Sequence, residues 1–226
     1  LPIFESKPGA GATLGADYVA KAKPDGYTLL VAYSGYQVGN PHLYAKAGWD
    51  PVKDFSGVTP LANVPMVLVI APDKKIDTVK QLVDLAKAKP GSLNYAAAGI
   101  GSPPHLTMER FRIAAGFTGQ LVPFKGAPEA LTEVATGRVD VYFSPLAPAL
   151  SLIQSGQLKP LAVSSLTRAA ALPNVPTTTE AGLKDSDFDF YVGLYVAKQT
   201  PRAIVARIHA EVVKALNTPA VKEKLT

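Results

Sequence analysis

The chain contains no cysteine. Thiolate metal sites, catalytic thiols and disulfides are therefore excluded, while the absence suits cytoplasm and periplasm equally. Histidine is scarce too: His42, His105 and His209 lie far apart and form no metal-ligand spacing such as H-E-x-x-H, so neither a metal nor a cofactor is expected. No apolar run approaches the ~20 residues that a bilayer-spanning helix needs. Lys and Arg outnumber Asp and Glu by 23 to 18, but the cations are scattered over helices and turns. A nucleic-acid surface wants them clustered and interleaved with aromatics, so no nucleic-acid partner is expected. The mild positive field does favour small anions over cations. Leu1 is preceded by neither an initiator Met nor a signal peptide, which reads as a targeting segment already removed or an incomplete N-terminus.

Apolar residues are plentiful, at 47% of 226, enough for one large domain or two ordinary lobes. Short apolar runs alternate with helical patterns. The spacing predicts strands over 27–33, 65–71, 93–98, 139–143, 159–165 and 188–197. Between them, "DTVKQLVDLAKAKPG" predicts a helix capped at Asp77 or Thr78 and stopped by Pro90-Gly91. "APEALTEVATG" and "PLAPALSLIQSG" end on Gly137 and Gly156, and "TPRAIVARIHAEVVKALN" offers Thr200 as N-cap with Pro201 at the first helical position. Such alternation predicts an α/β protein with parallel sheets covered on both faces.

Enzyme signatures fail one by one. "KPGAGATLGA" supplies Gly9, Gly11 and Gly15, but a dinucleotide fingerprint needs Gly or Ala where Leu14 stands, and no P-loop Lys-Ser/Thr pair follows. A tight turn opening a helix to Ala22 accounts for it. His209, flanked by Arg207 and Glu211, reads as a surface residue. Ser102 and His105 sit three apart, yet no G-x-S-x-G elbow surrounds the serine and no acid is in place to orient the histidine.

"NYAAAGIGSPPHLTMERF" (94–111) carries the strongest signal. Gly99, Ile100, Gly101 and Ser102 follow a strand, and Ser102 stands as N-cap with Pro103 at the first helical position. The hydroxyl of Ser102 and the N–H groups of Gly101 and Ser102 can converge there on a carboxylate or phosphate. A capped turn needs no ligand, so plain helix initiation fits the same residues. Lys125 and Gly126 stand at a second strand-to-helix junction, where the lysine either reaches another anionic group or faces solvent. Ser144 ends a third strand. One local pattern also recurs, in "AKAKPDGYTLLVAYSG" (20–35) and "AKAKPGSLNYAAAG" (86–99). Shared turn chemistry explains it, as does a pair of equivalent strand ends, which would bring Tyr33, Ser34 and Gly35 to the space faced by Gly99 to Ser102.

Taken in order, "SKPGAGATLGADYVAKAKPDGYTLLVA", "NPHLYAKAGWDPVKDFSGVTPLANVPMVLVI", "LAKAKPGSLNYAAAGIGSPPHL", "VPFKGAPEALTEVATGRVDVYF", "LAVSSLTRAAALPNVPTTTEAGL" and "TPRAIVARIHAEVVKAL" resemble successive blocks of the Bug-type receptors of tripartite tricarboxylate transporters. The resemblance covers essentially the whole chain. It implies a monomeric periplasmic solute-binding protein without catalysis, of the two-lobed, hinge-connected type II-like fold. Lobe 1 would hold residues 1–68 and 197–226 and lobe 2 residues 69–196, with "PMVLVIA" and "FYVGLYVA" crossing between them. It implies closure on a small carboxylic acid, passed on to a membrane permease of one large and one small subunit. The loop Gly99–Ser102 would be one of two pincers on the carboxylate, and the expected ligand set is Tyr33, Ser34, Gly35, Gly99, Ile100, Gly101, Ser102, His105, Lys125, Gly126 and Ser144.

Two departures stand out. Family members open with a further strand and a Gly-rich loop, the other pincer, and continue past this chain's last helix. Many also carry Asp-Asn where this chain has Ser144-Pro145, which favours a plain carboxylic acid over an amino acid. Aromatic acids, dicarboxylates and tricarboxylates all fit. The alternative reading is an α/β enzyme acting on a small anionic substrate.

Overall fold

The computed structural model describes residues 3–5, 7, 12–43 and 48–225. Gly9 and Gly11 of the expected glycine turn lie outside the described residues. The elements run α1 (Thr13–Ala20), β1 (Leu29–Tyr33), α2 (Ser34–Leu43), β2 (Phe55–Val64), β3 (Met66–Ile70), α3 (Val79–Ala88), β4 (Leu93–Ala97), α4 (Pro103–Ala115), β5 (Gly119–Pro123), α5 (Ala127–Ala135), β6 (Val141–Pro145), α6 (Leu146–Gln154), β7 (Lys159–Val163), β8 (Phe190–Ala197), α7 (Arg202–Leu216) and α8 (Pro219–Leu225). They build two compact units, one of Leu1–Asn63 with Phe190–Thr226, the other of Val64–Asp189.

In the first unit the sheet order is β1-β8-β2, with β1 antiparallel to β8. Ala16, Val19, Trp49 and Phe55 form one small core, where the Trp49 and Phe55 rings meet edge to face at 5.5 Å. Val58, Leu194 and Val196 form another, covered by Val205, Ile208 and Val212 of α7, a helical stripe readable from their spacing. On that helix Pro201, not Thr200, occupies the N-cap, and no side chain caps it. His209 is exposed as expected, with Nδ1 3.0 Å from the Val58 carbonyl oxygen.

In the second unit the order is β5-β4-β6-β3-β7. Every residue of β3 is buried, as its unbroken apolar run suits a strand covered on both faces. On one face Val67, Val69, Ala96 and Tyr142 pack against Ala130, Leu131 and Val134 of α5 and Ala149 of α6. On the other, Phe111 of α4 meets Phe143 of β6 with ring centroids 5.4 Å apart. Thr78 caps α3 by accepting the Gln81 N–H, and the Gln81 side chain reaches back to the Asp77 N–H.

The expected parallel sheet is instead mixed. β4 runs parallel to β5 and β6, but β3 is antiparallel to both β6 and β7, because it inserts between strands distant from it in sequence. The first unit boundary falls just before the expected strand 65–71 and the second inside the expected strand 188–197. Hydrogen bonding on both sides places β3 wholly in the second unit's sheet, and β8 lies between β1 and β2 in the first. The boundaries fall after Asn63 and after Asp189, where 68 and 196 were expected. Among the described residues no helix is long and apolar enough to cross a membrane, and no cluster of three or more His, Cys, Asp or Glu is arranged to hold a metal.

Candidate functional site

Strand directions gather one set of loops. Since β4, β5 and β6 are parallel and β7 shares their direction through β3, all four carboxyl ends lie at one edge of the second unit's sheet. That edge carries Gly99–Ser102 after β4, Lys125 and Gly126 after β5, Ser144 near the end of β6, and Ser164 after β7. Ligands of open α/β sheets bind at such an edge. A cavity of about 500 Å³ in the unit opens elsewhere, around the start of α3 and the start of β7, lined by Asp77, Lys80, Pro160 and Glu180. The carboxylates of Asp77 and Glu180 are already paired there with Lys159 and Arg168.

The loop before α4 forms as its residue types require. Gly99 and Gly101 adopt φ of +95° and +78°, a region closed to most side chains. Ser102 caps α4, its oxygen accepting the His105 N–H at 3.4 Å, and Pro103 takes the first helical position. Gly116 ends the helix in the left-handed region, its N–H bonded to the Arg112 carbonyl.

The donors, however, are distributed differently from the expected cradle. Ser102 is 1% exposed, and both its hydroxyl and its N–H donate to the Gly99 carbonyl, at 2.7 and 3.3 Å. The Gly101 N–H donates to Nδ1 of His105 at 3.1 Å. The three groups expected to converge on an anion are thus spent inside the loop. Within this loop, the N–H groups of Gly99 and Ile100 are the ones with no acceptor among the described residues. The C=O and N–H of a trans peptide point in opposite directions. Because the Gly99 carbonyl is drawn towards Ser102, the Ile100 N–H is directed away from it, on a residue that is 59% exposed. One orphan donor pair therefore stands beside a helix start, where the helix dipole also favours negative charge.

His105 is half-buried, and accepting the Gly101 N–H leaves its proton on Nε2. Burial, partly offset by Glu109 and reinforced by Arg112, holds the imidazole below the ordinary histidine value. The ring is not placed to serve Ser102 as a base, since the serine hydroxyl donates to the Gly99 carbonyl and Nδ1 is taken by the Gly101 N–H. Beside it Arg112 grips Glu109 with Nε at 2.7 Å and with Nη2, and the Tyr95 hydroxyl donates to the same carboxylate at 2.5 Å. Burial opposes the charge on Glu109, but the bonds from Arg112 and Tyr95 outweigh it and keep the carboxyl below its usual range. Burial, then the bond to Glu109, pushes the Tyr95 phenol up to about 12. This triad was not anticipated. Its one sequence signal is the three-residue spacing of Glu109 and Arg112 on a helix.

The remaining expected residues fall into two groups. Lys125 is exposed and no carboxylate pairs with its ammonium among the described residues, while its N–H donates to Glu129 Oε2 at 3.2 Å. Gly126 is the N-cap of α5, with no side-chain cap. Ser144 is wholly buried and its hydroxyl donates to the Pro145 carbonyl at 2.9 Å, so it is not presented at the edge. Tyr33, Ser34 and Gly35 belong to the first unit. Ser34 opens α2 and accepts the Tyr191 N–H at 3.2 Å, and a Cβ on Gly35 would lie 2.5 Å from the Phe190 ring. Both therefore have structural work that leaves only Tyr33, at 36% exposure, with an accessible side chain.

Residues 2–226 match the family model described as "Tripartite tricarboxylate transporter family receptor". A UPF0065 protein from the tcbD-tcbE intergenic region of Pseudomonas sp. (strain P51) is 34% identical over 224 residues, covering 99% of this chain and 66% of that protein. The chain spans about two thirds of the length of such curated relatives. Among solved structures, a Rhodopseudomonas palustris protein with adipate is 31% identical with a TM-score of 0.87, covering 96% of this chain and 73% of that one. MatC of the same organism with bound malate is 31% identical with a TM-score of 0.84, at 95% and 73% coverage.

Proposed function

The chain belongs to the receptor family of tripartite tricarboxylate transporters, a family of receptors and not of enzymes, and from that premise we propose that it binds a small carboxylic acid through the loop between β4 and α4. The observation that carries the reading is the pair of unspent N–H groups on Gly99 and Ile100, beside the start of α4 and at the carboxyl-end edge of the sheet. Adipate and malate in two structural neighbours support the ligand class. The protein acts in the periplasm and hands its solute to a membrane permease. With the Ser144 hydroxyl spent on the Pro145 carbonyl, it does not await an amino group at the end of β6, so a plain carboxylic acid is favoured over an amino acid.

Thermal denaturation against a panel of adipate, malate, citrate, benzoate and their amides tests this. At least one acid is expected to raise the melting temperature, by the equivalent of about 2.7 kcal/mol at 100 times its dissociation constant, while its amide does not. Equal responses to acids and amides, or none to any acid, would contradict the proposal. Lys125, exposed and with no carboxylate partner among the described residues, suits a second carboxylate. Its replacement by Ala is expected to cost a dicarboxylate up to about 1 kcal/mol, roughly 5-fold in affinity, and a monocarboxylate almost nothing. Calorimetry on a dicarboxylate and its monocarboxylate analogue checks this, and equal losses would remove Lys125 from the site.

A further inference from the structure

We propose that His105 is a positioning residue of this loop: by accepting the Gly101 N–H at Nδ1, the neutral imidazole fixes the Ile100–Gly101 peptide and so, together with the Ser102 bonds that set the preceding peptide, keeps the loop in the form that presents the Ile100 N–H to a carboxylate. The inference rests on the receptor reading above for its functional half, and on the loop's own hydrogen bonds for the rest.

Three bonds order the loop at the start of α4. Two come from Ser102 to the Gly99 carbonyl and set the Gly99–Ile100 peptide. The third, from Gly101 to His105, alone sets the next peptide. Ile100 is flanked by glycines at positive φ, whose backbones have other broad regions open to them, so the loop has little intrinsic stiffness. Among the described residues, His105 is the side chain that supplies it at Gly101.

The hold depends on protonation. An imidazolium carries protons on both nitrogens and has no acceptor to offer, so charging His105 breaks the bond to Gly101. The charged form is disfavoured by burial and sits in the first turn of α4, where the helix dipole opposes a cation. The groups facing it are Glu109 and Arg112 on α4, which act in opposite directions, and Tyr95 on β4, which is bonded to Glu109. On β6, Tyr142 is the one titratable residue, with no charged one beside it. A histidine that merely added positive charge near an anion would strengthen binding on protonation. A histidine that positions the loop by accepting a hydrogen bond weakens binding on protonation. The sign separates the two.

The test uses the whole chain and three forms, wild type, His105→Asn and His105→Ala. Asn carries Oδ1 at the same bond distance as Nδ1 and accepts without titrating. In nitrogen-detected NMR of the free protein, the His105 proton is expected on Nε2. The Gly101 amide shift should follow the His105 titration in wild type, stay flat in His105→Asn and move to the unbonded value in His105→Ala. With adipate or malate as probe, affinity should fall several-fold as pH drops through the His105 titration in wild type, and stay constant in His105→Asn. A proton on Nδ1, a Gly101 amide blind to His105, or affinity that rises on acidification would overturn the positioning role. If neither acid binds wild type at any pH, the receptor reading fails with these probes, and the Gly101 titration still decides whether His105 holds the loop.

Discussion

Replacing Ile100 by proline is expected to weaken carboxylate binding by about 10-fold to 150-fold and to leave the melting temperature of the free protein nearly unchanged. Proline deletes one N–H and little else here. Ile100 is not among the residues with positive φ, so the ring's fixed negative φ has the sign that the backbone already uses there. Its N–H has no acceptor among the described residues, so no internal hydrogen bond is lost. A hydrogen bond to a charged group contributes about 1.5–3 kcal/mol, which converts to the stated range. Ile100→Ala is the control: it keeps the N–H and removes only an exposed side chain. Titration calorimetry of both variants checks the claim. Equal affinities for the proline and alanine variants would show that the Ile100 N–H does not touch the solute.

The second large effect falls on stability. Phe111→Ala should cost about 3–5 kcal/mol of folding free energy, the usual range for emptying a buried phenylalanine site. Phe111 is completely buried and packs edge to face with Phe117 at 5.9 Å and Phe143 at 5.4 Å. With Met108 and Ala115 it forms the stripe that fixes α4 on β6, and that contact holds the donor loop at the end of β4. Against a total of about 5–15 kcal/mol for an ordinary domain, the loss is a large fraction. Urea denaturation measures it, and a loss below about 1 kcal/mol would mean that α4 is held by something other than this aromatic contact.

The sequence made α4 and its loop readable because each residue type there has a narrow set of uses. Ser102 before two prolines marks an N-cap, and it stands where expected. What could not be read was the partition of donors. Ser102 offers a hydroxyl and an N–H that suit an outside anion as well as the Gly99 carbonyl three residues back, and composition does not choose between them. The structure chooses inward, and shifts the candidate donors from Gly101 and Ser102 to Gly99 and Ile100. Ser144 poses the same ambiguity: a serine at a strand end looks available until Pro145 supplies an acceptor next door.

Two strands escaped the pattern. β2 contains Pro60 and mixes buried with exposed positions irregularly, so neither alternation nor an apolar run marks it. β5 is a five-residue edge strand that begins at Gly119 and ends at Pro123. α2 was hidden because Ser34 and Gly35 look like a strand-end turn, although Gly35 is there to let Phe190 pass. The direction of β3 was equally unreadable, since its partners β6 and β7 lie some 75 to 95 residues further on, and pairing over such distances leaves no local trace.

The most direct measurement is a crystal structure of the protein with the acid that gives the largest thermal shift. A carboxylate oxygen is expected about 2.7–3.2 Å from the nitrogen of Ile100 or Gly99, with Ser102 still bonded to the Gly99 carbonyl. A carboxylate bound away from the β4–α4 loop, with both N–H groups left to water, would contradict it.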